Sequence, residues 1–292
     1  MGMVTPAPEN HRDPLDGGEL GTVIQLQQIS DTADFLPGHW LTEGAQVADA
    51  VALLRTERSL GTGFLVSPWL LLTNHHVLEG PDDATGAHAV FRYVADDRNR
   101  ITAAQEGLFA PERCFVTSGI DDLDYTLVAL APMADGRAPG AVLSALPMRG
   151  AARRVVHDQP VNIIQHPQGR PREIAIRNNR LIGFDQRYLS YETDSEPGSS
   201  GSPVLDDDWE LIGLHSRSES RWGPSPQSVG LAERPATDHP PAPRRTTVAN
   251  KGIRIPAIIA DLMARTAEYG PDAAALIDEL LAFGGNSRRL AA

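Results

Sequence analysis

From Gly61 onward the chain is a succession of short apolar runs, each closed by a turn: GTGFLVS, WLLLTN, HAVFRYVA, YTLVAL, VNIIQH, REIAIR, LIGFD, YLSYET, PVLDD and ELIGLHS. Runs of this length, rich in aliphatic and aromatic residues and bounded by turn residues, read as strands. The helical stretches of about 10–15 residues that a parallel sheet needs between its strands are missing. An all-β architecture of antiparallel neighbours is expected.

The segment PMADGRAPGAVLSALPMRGAARR, residues 132–154, parts these runs into two groups and reads as the seam between two β units. The organisation that follows is a leader over residues 1–57, a first β unit over 58–150, a second over 151–262 and a helical tail over 263–292. In the leader, AQVADAVALLRT spaces apolar residues at helical intervals, so a short helix is expected from Gln46. The proline-rich stretch 217–249 is too long for an ordinary connection and reads as an inserted loop. The tail carries a helix at PDAAALIDELLAFGG, with Pro271 near its start, a Gly284–Gly285 stop, and Leu276, Ile277, Leu280, Leu281 and Phe283 on the face that packs.

Charge narrows the function classes. The 292 residues carry a formal net charge of −12, which opposes binding to a phosphate backbone or an anionic lipid surface. No uncharged apolar stretch reaches the ~18 residues of a membrane span, and the start MGMVTPAPENHRDPLDGGEL has no secretory pattern. A cytoplasmic protein without nucleic-acid or membrane partners is expected. Cys114 is the single cysteine, so an internal disulfide and a cysteine-only zinc site are both excluded, and the residue is expected in the core. There is no HExxH zinc-protease motif, and neither a metal nor an organic cofactor is expected.

Three stretches hold residues suited to nucleophilic catalysis, in the order His, Asp, Ser: LLTNHHVL with His75 and His76, DDLDYTLVAL with Asp121, Asp122 and Asp124, and EPGSSGSPV with Ser199, Ser200 and Ser202. They lie on different β units and can meet only in a cleft between them. A serine hydroxyl is a weak nucleophile at neutral pH and needs an imidazole to take its proton; the imidazole needs a carboxylate to set its tautomer and balance its charge. The α/β-hydrolase alternative is disfavoured, because the Gly-Ser-Ser-Gly-Ser loop lacks that fold's elbow pattern and the order of the three residue types is wrong for it.

These stretches resemble the chymotrypsin-like serine proteases, and more closely the bacterial V8-like glutamyl endopeptidases, over about residues 58–262. GTGFLVSPWLLLTNHHVL is similar to the family segment whose histidine before Val is catalytic, which selects His76. DYTLVAL resembles the Asp-led strand and selects Asp124; GSSGSPV resembles the nucleophile loop and selects Ser200. The resemblance implies two six-stranded antiparallel β-barrels, with C-terminal helices following. It also implies a serine endopeptidase acting through an acyl-enzyme. Gly198 would let its own amide and that of Ser200 point to one spot, as an oxyanion hole requires.

By the same resemblance, the pocket for the residue before the scissile bond (P1) is framed by Asp194, Ser195, His215 and Ser216. Ser195 and His215 imply an acidic P1, since an imidazole can donate to a carboxylate. Asp194 implies the opposite, since it aligns with the position that gives trypsin its preference for Arg and Lys; turned inward it would pair with His215 and spoil acid recognition, and turned away it would leave that recognition intact. The expectation leans to acidic P1. Ser199 stands where trypsin's zymogen switch needs an Asp, so that switch is absent and the 217–249 insertion is a candidate lid. The substrate is expected to be a protein or peptide, in particular one dedicated intracellular partner, and the reading leaves room for a regulatory partner protein. Two other functions fit the same fold: a regulatory peptide-binding module and a small-ester hydrolase.

Overall fold

The computed structural model describes residues 35–102, 104–150, 154–223 and 244–286. Residues Gly38 onward form one unit, built mainly from two antiparallel sheets of seven strands each. In chain order, the strands of the first half are β1 (Val51–Arg55), β2 (Leu60–Leu65), β3 (Leu70–Thr73), β4 (His88–Phe91), β5 (Val94–Ala95), β6 (Ile101–Thr102), β7 (Gln105–Leu108), β8 (Phe115–Ser118) and β9 (Tyr125–Ala129). Those of the second half are β10 (Asn162–Gln165), β11 (Glu173–Ala175), β12 (Arg180–Phe184), β13 (Tyr188–Glu192), β14 (Pro203–Leu205), β15 (Leu211–Gly223) and β16 (Arg244–Arg254). The first sheet runs β7-β4-β1-β2-β3-β9-β8 and the second β11-β10-β14-β15-β16-β13-β12, with β5 and β6 paired separately. This is the expected double-barrel, all-β architecture, with seven strands in each sheet where six were expected.

Each of the ten apolar runs contains a strand. Inner strands such as β3 and β9 are buried at every position, whereas the edge strand β8 alternates between buried and half-buried residues. That contrast follows from covering one face or both. The β2–β3 turn shows how local chemistry sets a hairpin: Ser67 Oγ accepts from the Trp69 and Leu70 amides at 3.3 and 3.1 Å, the hydroxyl standing in for a backbone acceptor.

Three elements differ from expectation. The helix near Gln46 is α1 (His39–Ala48), and Val51–Arg55 leaves it to become β1, an inner strand of the first sheet. A five-residue apolar run does not distinguish strand from helix by spacing alone, and here pairing with both β2 and β4 decides. The stretch 217–249 is strand at both ends: β15 and β16 remain paired from Gly213–Arg254 out to Gly223–Arg244. The rest of it, 224–243, lies outside the described residues, as does most of the leader.

The C-terminal helices α4 (Ile255–Ala264) and α5 (Pro271–Asn286) bury Ile258, Ile259 and Leu262, and Leu276, Ile277 and Leu280, in the main apolar core. The glycine pair does not stop α5, which runs on to Asn286. Gly284 has a packing role, because a Cβ there would overlap the Met148 carbonyl; at Gly285 the same atom would meet open space.

Among the contacts that bind the halves, two sets involve α1 and β2. Helix α1 precedes the first sheet, yet its Trp40 Nε1 donates to the Asp207 carbonyl at 2.7 Å. In return Trp209 Nε1 donates to the Trp40 carbonyl at 2.8 Å, with the two rings 4.5 Å apart. The second set centres on Thr62 of β2. Its amide donates to Ser200 O at 2.8 Å and its hydroxyl to Gly198 O at 2.8 Å, and that hydroxyl accepts from the His166 amide at 3.1 Å. Thr73 Oγ1 completes the group by donating to Thr62 O at 2.8 Å.

Gly284→Ala is expected to destabilise the protein by about 1–3 kcal/mol through overpacking. Gly285→Ala should be neutral or stabilising by up to about 1 kcal/mol from helix propensity. Urea midpoints of the two variants test this, and equal effects would contradict the close-approach role. Thr62→Val leaves the buried Gly198 carbonyl and His166 amide without their partner and should cost about 2 kcal/mol or more. Thr62→Ser keeps the hydroxyl and should cost about 1 kcal/mol for the lost methyl; the same urea titration would reverse that order if the hydroxyl were not the connecting group.

Candidate active site

The pairing of β3 with β9 places Thr73 opposite Thr126. The residues that follow β3 therefore lie beside the residue that precedes β9, and His76 meets Asp124. The Asp124 oxygens stand 3.0 and 2.9 Å from His76 Nδ1, and Oδ1 also accepts from the His76 amide at 3.2 Å. Asp124 adopts φ 48°, a left-handed conformation that aspartate tolerates better than most residues. Its own carbonyl accepts from Asn74 Nδ2 at 2.8 Å, and its amide donates to Gly119 O. The carboxylate belongs to a residue only 4% exposed, where a charge needs such partners.

The neighbouring candidates diverge. His75 turns away from Asp124 and its Nδ1 lies 2.8 Å from Thr117 Oγ1 on β8. Asp122 pairs with Arg187 and accepts from Ser118 Oγ at 2.9 Å; Asp121 is exposed.

The loop between β13 and β14 brings the serines. Glu196–Ser199 is a turn closed by the Ser199 amide on Glu196 O at 3.0 Å, with Pro197 second and Gly198 third at φ 98°. Proline followed by a left-handed residue defines a type II turn, and at Gly198 a side chain would also crowd the His166 carbonyl. The Pro197 carbonyl accepts from the Gln168 amide at 2.5 Å. Carbonyl and N–H of a trans peptide are opposed, so the Gly198 N–H faces the other way. Neither that amide nor the Ser200 amide has an acceptor among the described residues.

Of the three serines, Ser199 and Ser202 are fully buried, and the Ser202 hydroxyl donates to Ser199 O at 2.7 Å. Ser200 is half-buried and its hydroxyl donates to the Ser216 carbonyl at 3.2 Å. Ser216 in turn donates its own hydroxyl to Asp124 Oδ2 at 2.7 Å. One residue of β15 thus touches both the Ser200 side chain and the Asp124 carboxylate.

Next to Ser216, His215 is 2% exposed. Its Nδ1 lies 2.6 Å from the Tyr191 hydroxyl. Burial, reinforced by the nearby His76, lowers the His215 pKa to about 4. Ser195 Oγ stands 2.7 Å from Asn250 Oδ1 and 2.9 Å from Ser218 Oγ. Asp194 is exposed, and Gln165 Nε2 holds its backbone carbonyl at 3.1 Å. The Asp194–His215 pairing that would spoil acid recognition is not made: the Asp194 side chain is exposed, and the His215 contact is from Nδ1 to Tyr191. Cys114 is buried, and burial pushes its thiol up to about 12, which leaves it no part in nucleophilic chemistry at neutral pH.

Sequence reasoning missed Thr62, Tyr191, Ser218 and Asn250. Thr62 sits inside the quoted GTGFLV run but reads there only as a strand residue. The other three meet across strands distant in the chain, and no motif spacing marks them.

The trypsin-like peptidase domain family matches residues 61–214, just over half of the chain. An uncharacterised Sinorhizobium fredii protein is 31% identical over 282 residues, covering 88% of this chain and 42% of that protein. A Staphylococcus aureus glutamyl endopeptidase is 26% identical over 228 residues, covering 75% of this chain and 61% of that protein. The chain thus spans less than two thirds of the length of these curated relatives. Among solved structures, a Glu endopeptidase aligns with a TM-score of 0.48 at 15% identity over 76% of this chain and 92% of that one. A Mycobacterium tuberculosis protein, Rv3671c in an inactive form, aligns at 0.49 and 17% over 78% and 91%. With the motif-bearing strands inside the matched segment, the chain belongs to the trypsin-like peptidase family.

Proposed function

We propose that the protein is a serine endopeptidase in which Ser200 is the nucleophile, His76 the general base and Asp124 the group that orients it. The observation that carries this reading is the buried Asp124 carboxylate, which accepts from Nδ1 and the backbone amide of His76 and from Ser216, the residue whose carbonyl receives the Ser200 hydroxyl. With Nδ1–H directed at the carboxylate, Nε2 is left unprotonated and basic.

As a peptide carbonyl enters, the Ser200 hydroxyl rotates from Ser216 toward His76. Nε2 takes the proton as Oγ bonds to the carbonyl carbon. The oxygen of that carbonyl gains the negative charge, and the Gly198 and Ser200 amides donate to it; one such donor is typically worth ~100-fold or more in rate. The C–N bond then breaks, and the amine leaves with the proton from Nε2. Water, giving a proton to the same nitrogen, hydrolyses the Ser200 ester and restores the hydroxyl. Asp124 stays ionised throughout.

Fluorophosphonate labelling of the full chain should modify Ser200, and Ser200→Ala should abolish it. Asp124→Asn should retain the fold and lower peptide turnover by roughly 10³–10⁴-fold, because the amide favours the wrong imidazole tautomer. Labelling that persists in Ser200→Ala would refute the assignment. A matched ester and peptide pair separates a peptidase from an ester hydrolase. A protein that binds peptides but leaves them intact and is not labelled would be the binding module instead. We extend the reading to one dedicated protein partner in a cytoplasmic setting. Comparison of N termini in cells expressing the protein or its Ser200→Ala variant should then show one or a few new cleavage sites rather than broad digestion.

A further inference from the structure

Tyr191, Asn250 and Ser218 are aligned across β13, β16 and β15, with His215 opposite Gly252 two positions along. The hydrogen-bond directions in this patch define which side chain can sit beside Ser200. Asn250 Nδ2 donates to the Thr193 carbonyl at 2.7 Å. A carbonyl only accepts, so the amide's orientation is set and its Oδ1 faces the serines. Ser195 Oγ and Ser218 Oγ each lie 2.7 Å from that oxygen and 2.9 Å from each other. Both hydroxyl protons are consumed inside this trio. The serines therefore present oxygen lone pairs outward.

His215 supplies the opposite polarity. The Tyr191 hydroxyl is 2.6 Å from Nδ1 and has no other partner among the described residues. A buried phenol proton left unpaired costs about 1–3 kcal/mol, so it goes to Nδ1. The hydrogen of the ring is then on Nε2. Gly252 makes this possible, since a Cβ there would lie 3.2–3.3 Å from the Tyr191 ring and hydroxyl. Buried and held well below its ordinary pKa, the ring is neutral at pH 7.

We propose that this pocket selects a neutral carboxamide, glutamine at P1, with His215 Nε2–H donating to the amide oxygen and the Ser195 and Ser218 oxygens accepting from its NH₂. Tyr191 is the positioning residue. A carboxylate would set its lone pairs against those of the serines and find a neutral N–H in place of a cation. A lysine or arginine would offer donors to the serines but leave the His215 N–H without an acceptor. Discrimination comes chiefly from the buried His215, with Ser195 half-buried and Ser218 exposed beside it, because a side chain of the wrong polarity leaves a buried polar group unpaired. The inference rests on the peptidase reading and replaces the acidic preference expected from the sequence.

The test uses the full chain and quenched-fluorescence peptides that differ only at P1: Gln, Glu, Lys and Leu. At pH 7.5, kcat/KM for Gln should exceed each of the others by about 10-fold or more. In Tyr191→Phe, and independently in Ser195→Ala, the Gln-to-Glu ratio should fall toward 1; a general loss of activity would leave that ratio unchanged. Glu or Lys cleaved as well as Gln by the parent protein overturns the proposal, and an unchanged ratio in both variants overturns its donor–acceptor basis. Protein that is labelled at Ser200 yet prefers Glu defeats this inference alone. Protein that neither labels nor cleaves any of the peptides removes the peptidase reading and this inference with it.

Discussion

A threonine on an inner strand of the first sheet holds the loop that belongs to the second. Thr62 has its amide on Ser200 O, its hydroxyl between Gly198 O and the His166 amide, and its carbonyl taken by Thr73. All of this lies in a fully buried residue, where an unpaired polar group costs about 1–3 kcal/mol and partial satisfaction is penalised. The loop therefore has little freedom to choose another path. Gly201 confirms how close the approach is, since a side chain there would overlap the Thr62 carbonyl.

The connection runs in the other direction as well. Ser216, on β15 of the second sheet, donates to Asp124 at the head of β9 in the first. Each half thus completes a buried polar cluster of the other. A carboxylate buried to 4% exposure would be costly with its partners removed, so the arrangement of His76 and Asp124 and the docking of the two sheets support one another. The Trp40–Trp209 exchange of indole and carbonyl bonds adds a further tie, between α1 and the β14–β15 turn.

Much of this was legible beforehand. All ten apolar runs contain strands, and the helical tail packs with Leu276, Ile277 and Leu280 inward. The failures have physical causes. Val51–Arg55 continues the apolar spacing of the helix before it, and only its two strand neighbours make it β1. The Gly284–Gly285 pair looks like a helix stop, but Gly284 answers to the Met148 carbonyl, a contact with no local signature. The ends of the 217–249 stretch are polar and proline-flanked, and it is the long pairing of β15 with β16 that makes them strand. In the candidate site, the sequence singled out His76, Asp124 and Ser200 by motif but not Thr62, Tyr191, Ser218 or Asn250, which meet only through strand register.

The order of strand-forming runs, the class of the fold and the three stretches that converge were determined by the sequence alone, because periodicity, turn chemistry and short-range motifs are local properties. The motifs already singled out His76, Asp124 and Ser200, but the partners each side chain meets, and whether the polar groups near Ser200 act as donors or acceptors, were decided only in the folded chain. Those outcomes depend on the register of strands far apart in sequence: Thr73 against Thr126, and Tyr191 against Asn250 against Ser218. A hydrogen bond has a direction as well as a partner, and the direction is set by every other bond the two groups already make.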